Sequence, residues 1–284
     1  MLSDLPAQQT LAGEIELTGV GVHSGQPARL RFLPAEADTG LRFRRVDLPG
    51  APAIPVTLDH ILASQLDRRT TLGLDETICV GMVEHLLAVC VGLGLDNAIF
   101  ELDGVEVPIL DGSAEPMARA CLDCGLVALD RPRRYIELQR PVVYDRFPVQ
   151  MVALPSPTLR ATYFLEYDNP LVETQAGHFE ITPESFLREL APARTFCFED
   201  EVEPLRAAGL IRGGDLSCAI VICQDRILGG PLRFPDEVVR HKVVDLLGDL
   251  CLLGRPLRAH ITAWRAGHAR HIEFLNMLKE AIGP

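Results

Sequence analysis

Basic charge is scarce and nowhere clustered. Lys and Arg number 27 against 39 Asp and Glu, a net charge of −12 spread along 284 residues. Nucleic acid is therefore not expected as a partner, because its binders present a basic face. An anionic small ligand would need a local basic pocket set against the overall field. The opening residues, MLSDLPAQQTL, have neither the basic nor the apolar stretch of a secretory leader, and none is expected. A long charge-free apolar run is also missing. Residues 78–95 (ICVGMVEHLLAVCVGLGL) barely reach membrane length and hold Glu84, His85 and three glycines, so no transmembrane span is expected. Eight cysteines at irregular spacing do not form a disulfide framework. Cys79, Cys90, Cys218, Cys223 and Cys251 lie in apolar runs and read as small buried hydrophobes. The CxxC at Cys121 and Cys124 has no second pair at zinc-ribbon spacing and reads as structural. A reducing cytoplasm is the expected compartment.

What is present is ordinary globular composition, 48% apolar and 23% charged, enough for one large or two medium domains. Short alternating stretches broken by Gly and Pro predict strands over the first sixty residues. An apolar helix is predicted from about Gly81 to the Gly92/Gly94 pair, then a strand over 97–102 and a helix from Met117 to Cys124. Residues 128–134 (ALDRPRR) read as a Pro- and Arg-rich joint, placing domains at 1–129 and 130–284. Strands recur after it. An irregular stretch over 185–230 carries some helix. A long helix then starts near Pro235–Glu237 and stops at Gly254/Pro256, followed by a strand over 257–264 and a last helix with Ile272, Leu275, Leu278 and Ala281 as apolar positions. Both halves follow one order of elements, so the expected fold is α+β, two similar two-layer units in tandem.

Glu84 and His85 sit side by side in an apolar run, where an unpaired carboxylate and imidazole each lose hydration at a cost of several kcal/mol. A bound metal would compensate them. In RHKVVDLLGDL, His241, Asp245 and Asp249 fall at roughly 0°, 40° and 80° around one helix. Val243, Val244, Leu246, Leu247, Leu250 and Leu253 fill most of the rest, so the polar stripe faces an interior or a cleft. A His–Asp ion pair on a solvated face is the plainer alternative. Catalytic zinc keeps three protein ligands and one open position; His241 and Asp245 supply two, and His85 the third. Glu84 is placed to act as general base. HExxH is absent, which excludes the zinc-protease helix. His268 follows Gly267 at a helix start, and a neighbouring Asp249 would hold it protonated. His60, His178, His260 and His271 read as surface or strand positions.

GVGVHSG (19–25), VEHLLAV (83–89), GLDNAIFEL with VPILDGSA (94–114), ARTF (193–196), RHKVVDLLGDL (240–250) and AGH (266–268) stand in a familiar order. Over residues 9–282 the chain resembles the UDP-3-O-acyl-N-acetylglucosamine deacetylases, zinc amidases of lipid A synthesis. The resemblance implies one Zn²⁺ per chain, or Fe²⁺ natively, on His85, His241 and Asp245. It implies Glu84 as base, His268 as acid, Thr195 at the oxyanion and Asp249 tuning His268. Lys242, Phe196, Arg265 and His23 are the implied substrate contacts. It further implies a UDP-linked acylated amino sugar as substrate, a site between two α+β domains, and an insert over 194–230 forming an apolar passage for the acyl chain. AGLI (208–211) and CAIVI (218–222) suit that passage, though buried core explains either. Asn169-Pro170 and Arg265 stand where His-Pro and Lys are usual in the family, and Cys79-Val-Gly-Met precedes the Val-Glu-His. A monomer without a fused dehydratase is expected. Two other readings stay open: a silent nucleotide-sugar binder with structural zinc, and an amidase for another acylated amino sugar.

Overall fold

The computed structural model describes residues 5–66 and 68–283. The first part of the chain runs β1 (Ala7–Leu11), β2 (Ile15–Val20), β3 (Pro27–Pro34), β4 (Leu41–Arg45), β5 (Ala53–Pro55), β6 (Leu72–Gly73), β7 (Cys79–Val80), α1 (Glu84–Leu93), β8 (Ala98–Asp103), α2 (Glu115–Cys124) and β9 (Leu126–Pro132). There follow β10 (Ile136–Glu137), β11 (Val142–Arg146), β12 (Val149–Pro155), β13 (Arg160–Glu166), β14 (Thr174–Glu180) and α3 (Pro183–Ser185), which continues into a π-helical turn over Phe186–Leu190. The chain closes with β15 (Phe196–Phe198), α4 (Glu199–Ala207), β16 (Ile220–Ile222), β17 (Ile227–Leu228), α5 (Glu237–Leu250), β18 (Leu257–Trp264) and α6 (His268–Ile282).

Two sheets organise this mixed α/β chain. One has five strands in the order β2-β3-β8-β4-β5; the other runs β11-β12-β18-β13-β14, with β10 beside β18. Within each of these five-strand orders one pair is parallel, β4·β8 and β13·β18, and the other pairs are antiparallel. The two orders and senses match strand for strand. In each, a helix precedes the central strand and another follows it: α1 and α2 around β8, α5 and α6 around β18. Alternation produces the strands: in β3, Ala28, Leu30 and Phe32 turn inward, and Phe32 and Phe43 both meet Phe100 at 5.3 Å.

Helices α1 and α5 are buried on nearly every side, as their sequences require. α1 ends where Gly94 adopts φ +74, the left-handed cap that glycine takes without strain. The two helices cross in backbone contact at Gly248. A Cβ placed there would lie 2.1 Å from the Glu84 carbonyl oxygen, so only hydrogen fits. That crossing sets the first turn of α1, with Glu84 and His85, against the C-terminal end of α5.

Three expectations need amendment. Residues 128–132 of the stretch read as a joint belong to β9, which pairs antiparallel with β1 through Leu11↔Leu126 and Ala7↔Pro132. Leu126–Leu129 are strand-compatible, and Pro132 falls at the ladder's end, where a missing N–H costs little. The stretch over 194–230 holds a three-stranded sheet, β15-β16-β17, besides its helix. Ala281 is exposed, while Ile272, Phe274, Leu275 and Leu278 carry the buried face of α6. Among the described residues no helix is long and apolar enough to cross a membrane.

Gly248→Ala must part α1 from α5. We expect a loss of about 1–3 kcal/mol of unfolding free energy in urea, the cost of overpacking, together with reduced turnover. An alanine variant as stable and active as the parent would contradict the crossing.

Candidate active site

The site grows from the ends of three helices. Met82, at φ +57, turns the chain so that α1 begins with Glu84 and His85 facing inward. α5 contributes His241 from its second turn, Asp245 one turn later and Asp249 one turn beyond. α6 begins at His268 after the extended Gly267. Strand β15 and its approach bring Thr195 and Phe196 alongside. A cavity of about 320 Å³ opens here, lined by His241, Lys242, Asp245, Thr195, Phe196 and His268 among others. Glu84 and His85 lie just behind that wall.

His85, His241 and Asp245 converge. Asp245 Oδ1 is 3.4 Å from His241 Nε2 and 3.9 Å from His85 Nε2, and the two rings meet edge to face with centroids 4.9 Å apart. All three are buried. A cation held at about 2.1 Å by each of three tetrahedral ligands would set them roughly 3.4 Å from one another. The observed spacing fits. His241 Nδ1–H donates to the Ala193 carbonyl oxygen at 3.1 Å, which leaves the Nε2 lone pair facing the trio. Lys242 Nζ donates to Asp245 Oδ2 at 2.8 Å and leaves Oδ1 for the centre. Burial lowers the pKa of His85 to about 3, helped by His241, and lowers that of His241 against the pull of Asp245. Both imidazoles are therefore neutral, the form that binds metal. Burial raises Asp245, but Lys242 and the neighbouring histidines outweigh it and hold the carboxyl well below its usual range.

Glu84 and His268 face each other at 3.9 Å. Burial drives Glu84 up to about 7 despite the opposing influence of His268, while the Thr70 N–H donates to its Oε2 at 3.0 Å. Burial alone would depress His268; Asp249, through charge and a 2.7 Å hydrogen bond from Nδ1, raises it to about 9. Asp249 accepts two further bonds, from Thr70 Oγ1 at 2.6 Å and His271 Nδ1 at 2.7 Å. Desolvation raises the Asp249 carboxyl, yet His268 and the hydrogen bonds bring it down to about 2. Asp249, His268 and His271 also stand close enough for a second metal trio. There both Nδ1 atoms already donate to Asp249, so the cluster is a hydrogen-bond hub that leaves His268 Nε2 free toward the cavity.

The expected residues separate into groups. His85, His241, Asp245, Glu84, His268 and Asp249 come together, and Thr195, Phe196 and Lys242 line the cavity. Arg265 and His23 are not in its wall. Arg265 sits 3.7 Å from Glu166 on the surface, and His23 is buried, its N–H donating to Glu106 Oε1 and its Nδ1 accepting from the Ile211 N–H. Asn169 anchors its loop to the Cys223 carbonyl oxygen. His271, read as a surface or strand position, is fully buried on α6. Its spacing of three from His268 puts both on one helix face and was the available signal. Thr70 gave no signal, because it reaches Asp249 from a loop 179 residues away in sequence.

Residues 8–280 match the family described as LpxC: UDP-3-O-acyl N-acetylglycosamine deacetylase. The UDP-3-O-acyl-N-acetylglucosamine deacetylase of Nostoc sp. is 42% identical, over 94% of this chain and 96% of that protein. Its namesake from Thermodesulfovibrio yellowstonii is 38% identical, over 97% and 93%. The "Bifunctional enzyme LpxC/FabZ" of Chlorobaculum tepidum is 40% identical over 96% of this chain, which spans 64% of that longer protein.

The raised pKa of His268 has a consequence for stability. A folded value of about 9 against 6.5 means the contribution is complete below pH 6.5 and disappears as pH rises through 9. Unfolding of the metal-free protein should become easier between pH 7 and 9 by on the order of 2 kcal/mol. Chemical denaturation at the two pH values tests this, and His268→Gln should flatten the difference. A parent protein equally stable at both would refute the Asp249 coupling.

Proposed function

The chain belongs to the UDP-3-O-acyl N-acetylglycosamine deacetylase family, and from that premise we propose that His85, His241 and Asp245 hold the catalytic cation of a deacetylase that releases acetate from UDP-3-O-acyl-N-acetylglucosamine, a step of lipid A biosynthesis. One observation carries the assignment of residues: a neutral–neutral–anionic donor trio at metal spacing, with a carboxyl raised to about 7 and an imidazole raised to about 9 facing each other beside it. Two imidazole nitrogens and one carboxylate oxygen suit Zn²⁺, and Fe²⁺ as well.

A bound divalent cation supplies Lewis acidity, making water acidic near neutral pH and polarising the amide carbonyl. Glu84 accepts the proton of the attacking water at its carboxylate, and its raised pKa makes it a competent base near pH 7. The Thr195 hydroxyl, in the cavity wall beside His241, donates to the developing oxyanion. An amide nitrogen leaves poorly unless protonated. His268, kept charged by Asp249, delivers its Nε2 proton to that nitrogen as the C–N bond breaks. Lys242 and Phe196 hold the substrate across the cavity. Base and acid are thus different groups whose environments suit opposite tasks.

The shared strand order of the two sheets supports a tandem of similar α+β units; on the family resemblance these units are 1–129 and 130–284, with the site between them and the insert over 194–230 shaping the acyl passage. All eight cysteines are free thiols, which supports a reducing, cytoplasmic location.

Acetate release from the UDP-linked acylated sugar, with and without chelator, tests the reading; release indifferent to chelation removes the metal from it. Glu84→Ala and His268→Ala should each cut turnover by about 10²–10⁴-fold while bound metal is kept. Asp245→Ala should lose the metal on dialysis, measured by elemental analysis. Stoichiometric metal retained by that variant would strike Asp245 from the ligand set.

A further inference from the structure

A larger cavity lies at the opposite end of the α1–α5 pair. A cleft of about 650 Å³ opens where the two helices finish, against about 320 Å³ at the catalytic end. Along α5, Asp245 lines the catalytic cavity and Leu250 the larger cleft, a rise of roughly 7.5 Å between the two. The proposed chemistry makes no use of it.

The composition of the cleft is specific. Its floor is apolar, with Leu41, Val56, Leu95, Leu159 and Ile181. Its rim carries Arg133, Arg134, Arg255 and Arg258, a local cationic patch in a chain of net charge −12. Two carboxylates share the wall, and both are engaged. Asp96 accepts from Arg133 at 2.9 Å and from the Gln9 N–H at 2.8 Å; Asp38 accepts from Gln8 Nε2 at 2.8 Å. Arg258 bonds Glu137 at 2.7 Å and stacks over Tyr135 at 3.9 Å. Arg133 also lies against Gly94 at the negative end of α1, a structural reason for its charge. Arg134 and Arg255 have no such reason. Neither makes a hydrogen bond or ion pair with a described residue, and both are exposed. In the same wall the Thr158 hydroxyl oxygen is buried without any hydrogen-bond partner.

Uncommitted donors above an apolar floor are the features of a site for a charged head and a greasy tail. Water can satisfy exposed guanidinium groups, but it gains nothing from the apolar floor. We propose that the cleft binds an amphiphilic anion: an alkyl or acyl chain laid on Leu41, Val56, Leu159 and Ile181, with its carboxylate or phosphate between Arg134 and Arg255. Arginine suits either head, since its fork pairs with carboxylate and phosphate alike.

Calorimetric titration of the full chain tests this with four probes: decyl phosphate, decanoate, decanol and inorganic phosphate. Each is run on the parent and on Arg134→Ser/Arg255→Ser. The catalytic cavity is the same in both proteins, so a chain bound there cancels in the comparison. The parent should take up one more equivalent of a decyl anion than the double variant, or bind it about tenfold or more tightly, the worth of one charge-assisted hydrogen bond. Preference between decyl phosphate and decanoate then names the head group. Decanol should not distinguish the two proteins, and inorganic phosphate should bind neither measurably. Both positions are exposed, so the variant should keep the parent's melting temperature and deacetylase rate. Identical isotherms for both anions on the two proteins would overturn the proposal, as would a decanol difference as large as that for decyl phosphate. Neither result depends on catalysis.

Discussion

Ionisable groups at the centre are stripped of water and must satisfy one another. Glu84, His85, His241, Asp245, Asp249 and His268 are all at most 8% exposed. Each would be costly alone. The arrangement answers by alternation: Lys242 and Asp245 form one charged pair, His268 and Asp249 another, and His85 and His241 stay neutral. Glu84 is the member left over. It has the Thr70 N–H and a distant His268, too little to keep a buried carboxylate ionised at its ordinary pKa, so it rises to about 7. A divalent cation on the proposed trio would supply the missing positive charge. The site is electrostatically incomplete in a way that a metal completes, and the group most responsive to that charge is the one assigned as base.

Holding this arrangement is the work of the helix crossing. Neither α1 nor α5 alone gathers the proposed ligand set, since α5 offers two of its donors on one stripe and α1 offers one. Contact between the Glu84 carbonyl and Gly248 brings the three together, and any side chain at that position separates them. The matched sheets explain how such contact is sustained. Each central strand, β8 or β18, is bracketed by a helix on either side in sequence, so the elements bearing His85 and His241 hold equivalent places in two similar frameworks.

Much of this was legible in the chain. Helix α5 announced itself by apolar residues on most faces, and the exceptions to that pattern are its functional stripe. The Glu84-His85 pair stood out for the same reason; Gly94 marked the end of α1, and Gly254 the end of the short 3-10 turn, residues 251–253, that follows α5. What escaped was contact between elements distant in sequence. Thr70 has no periodic context, and its bond to Asp249 depends on a loop path that local propensity does not encode. His271 was misjudged because an isolated histidine on an amphipathic helix resembles a surface residue until the burial of its face is known. β9 was mistaken for a joint because Pro and Arg dominate its end, whereas pairing with β1 is decided by tertiary context. Arg265 and His23 came from resemblance alone, and neither lines the cavity.

His271 also clarifies why the acid is reliable. A carboxylate holding one imidazolium has spare lone pairs, and a buried spare acceptor invites protonation or a shift in geometry. In Asp249 one oxygen takes Thr70 and the other takes both His268 and His271, so three of its roughly four acceptor sites are occupied by buried donors. The carboxyl is thereby held near pKa 2, ionised across the working range. A permanently charged Asp249 fixes the His268 Nδ1–H and confines proton exchange to Nε2, the nitrogen facing Glu84 and the cavity. In the proposed chemistry that restriction matters: the proton taken at Glu84 and the proton given at His268 would lie on the same side of one small space, and the imidazole has only one nitrogen through which to give it.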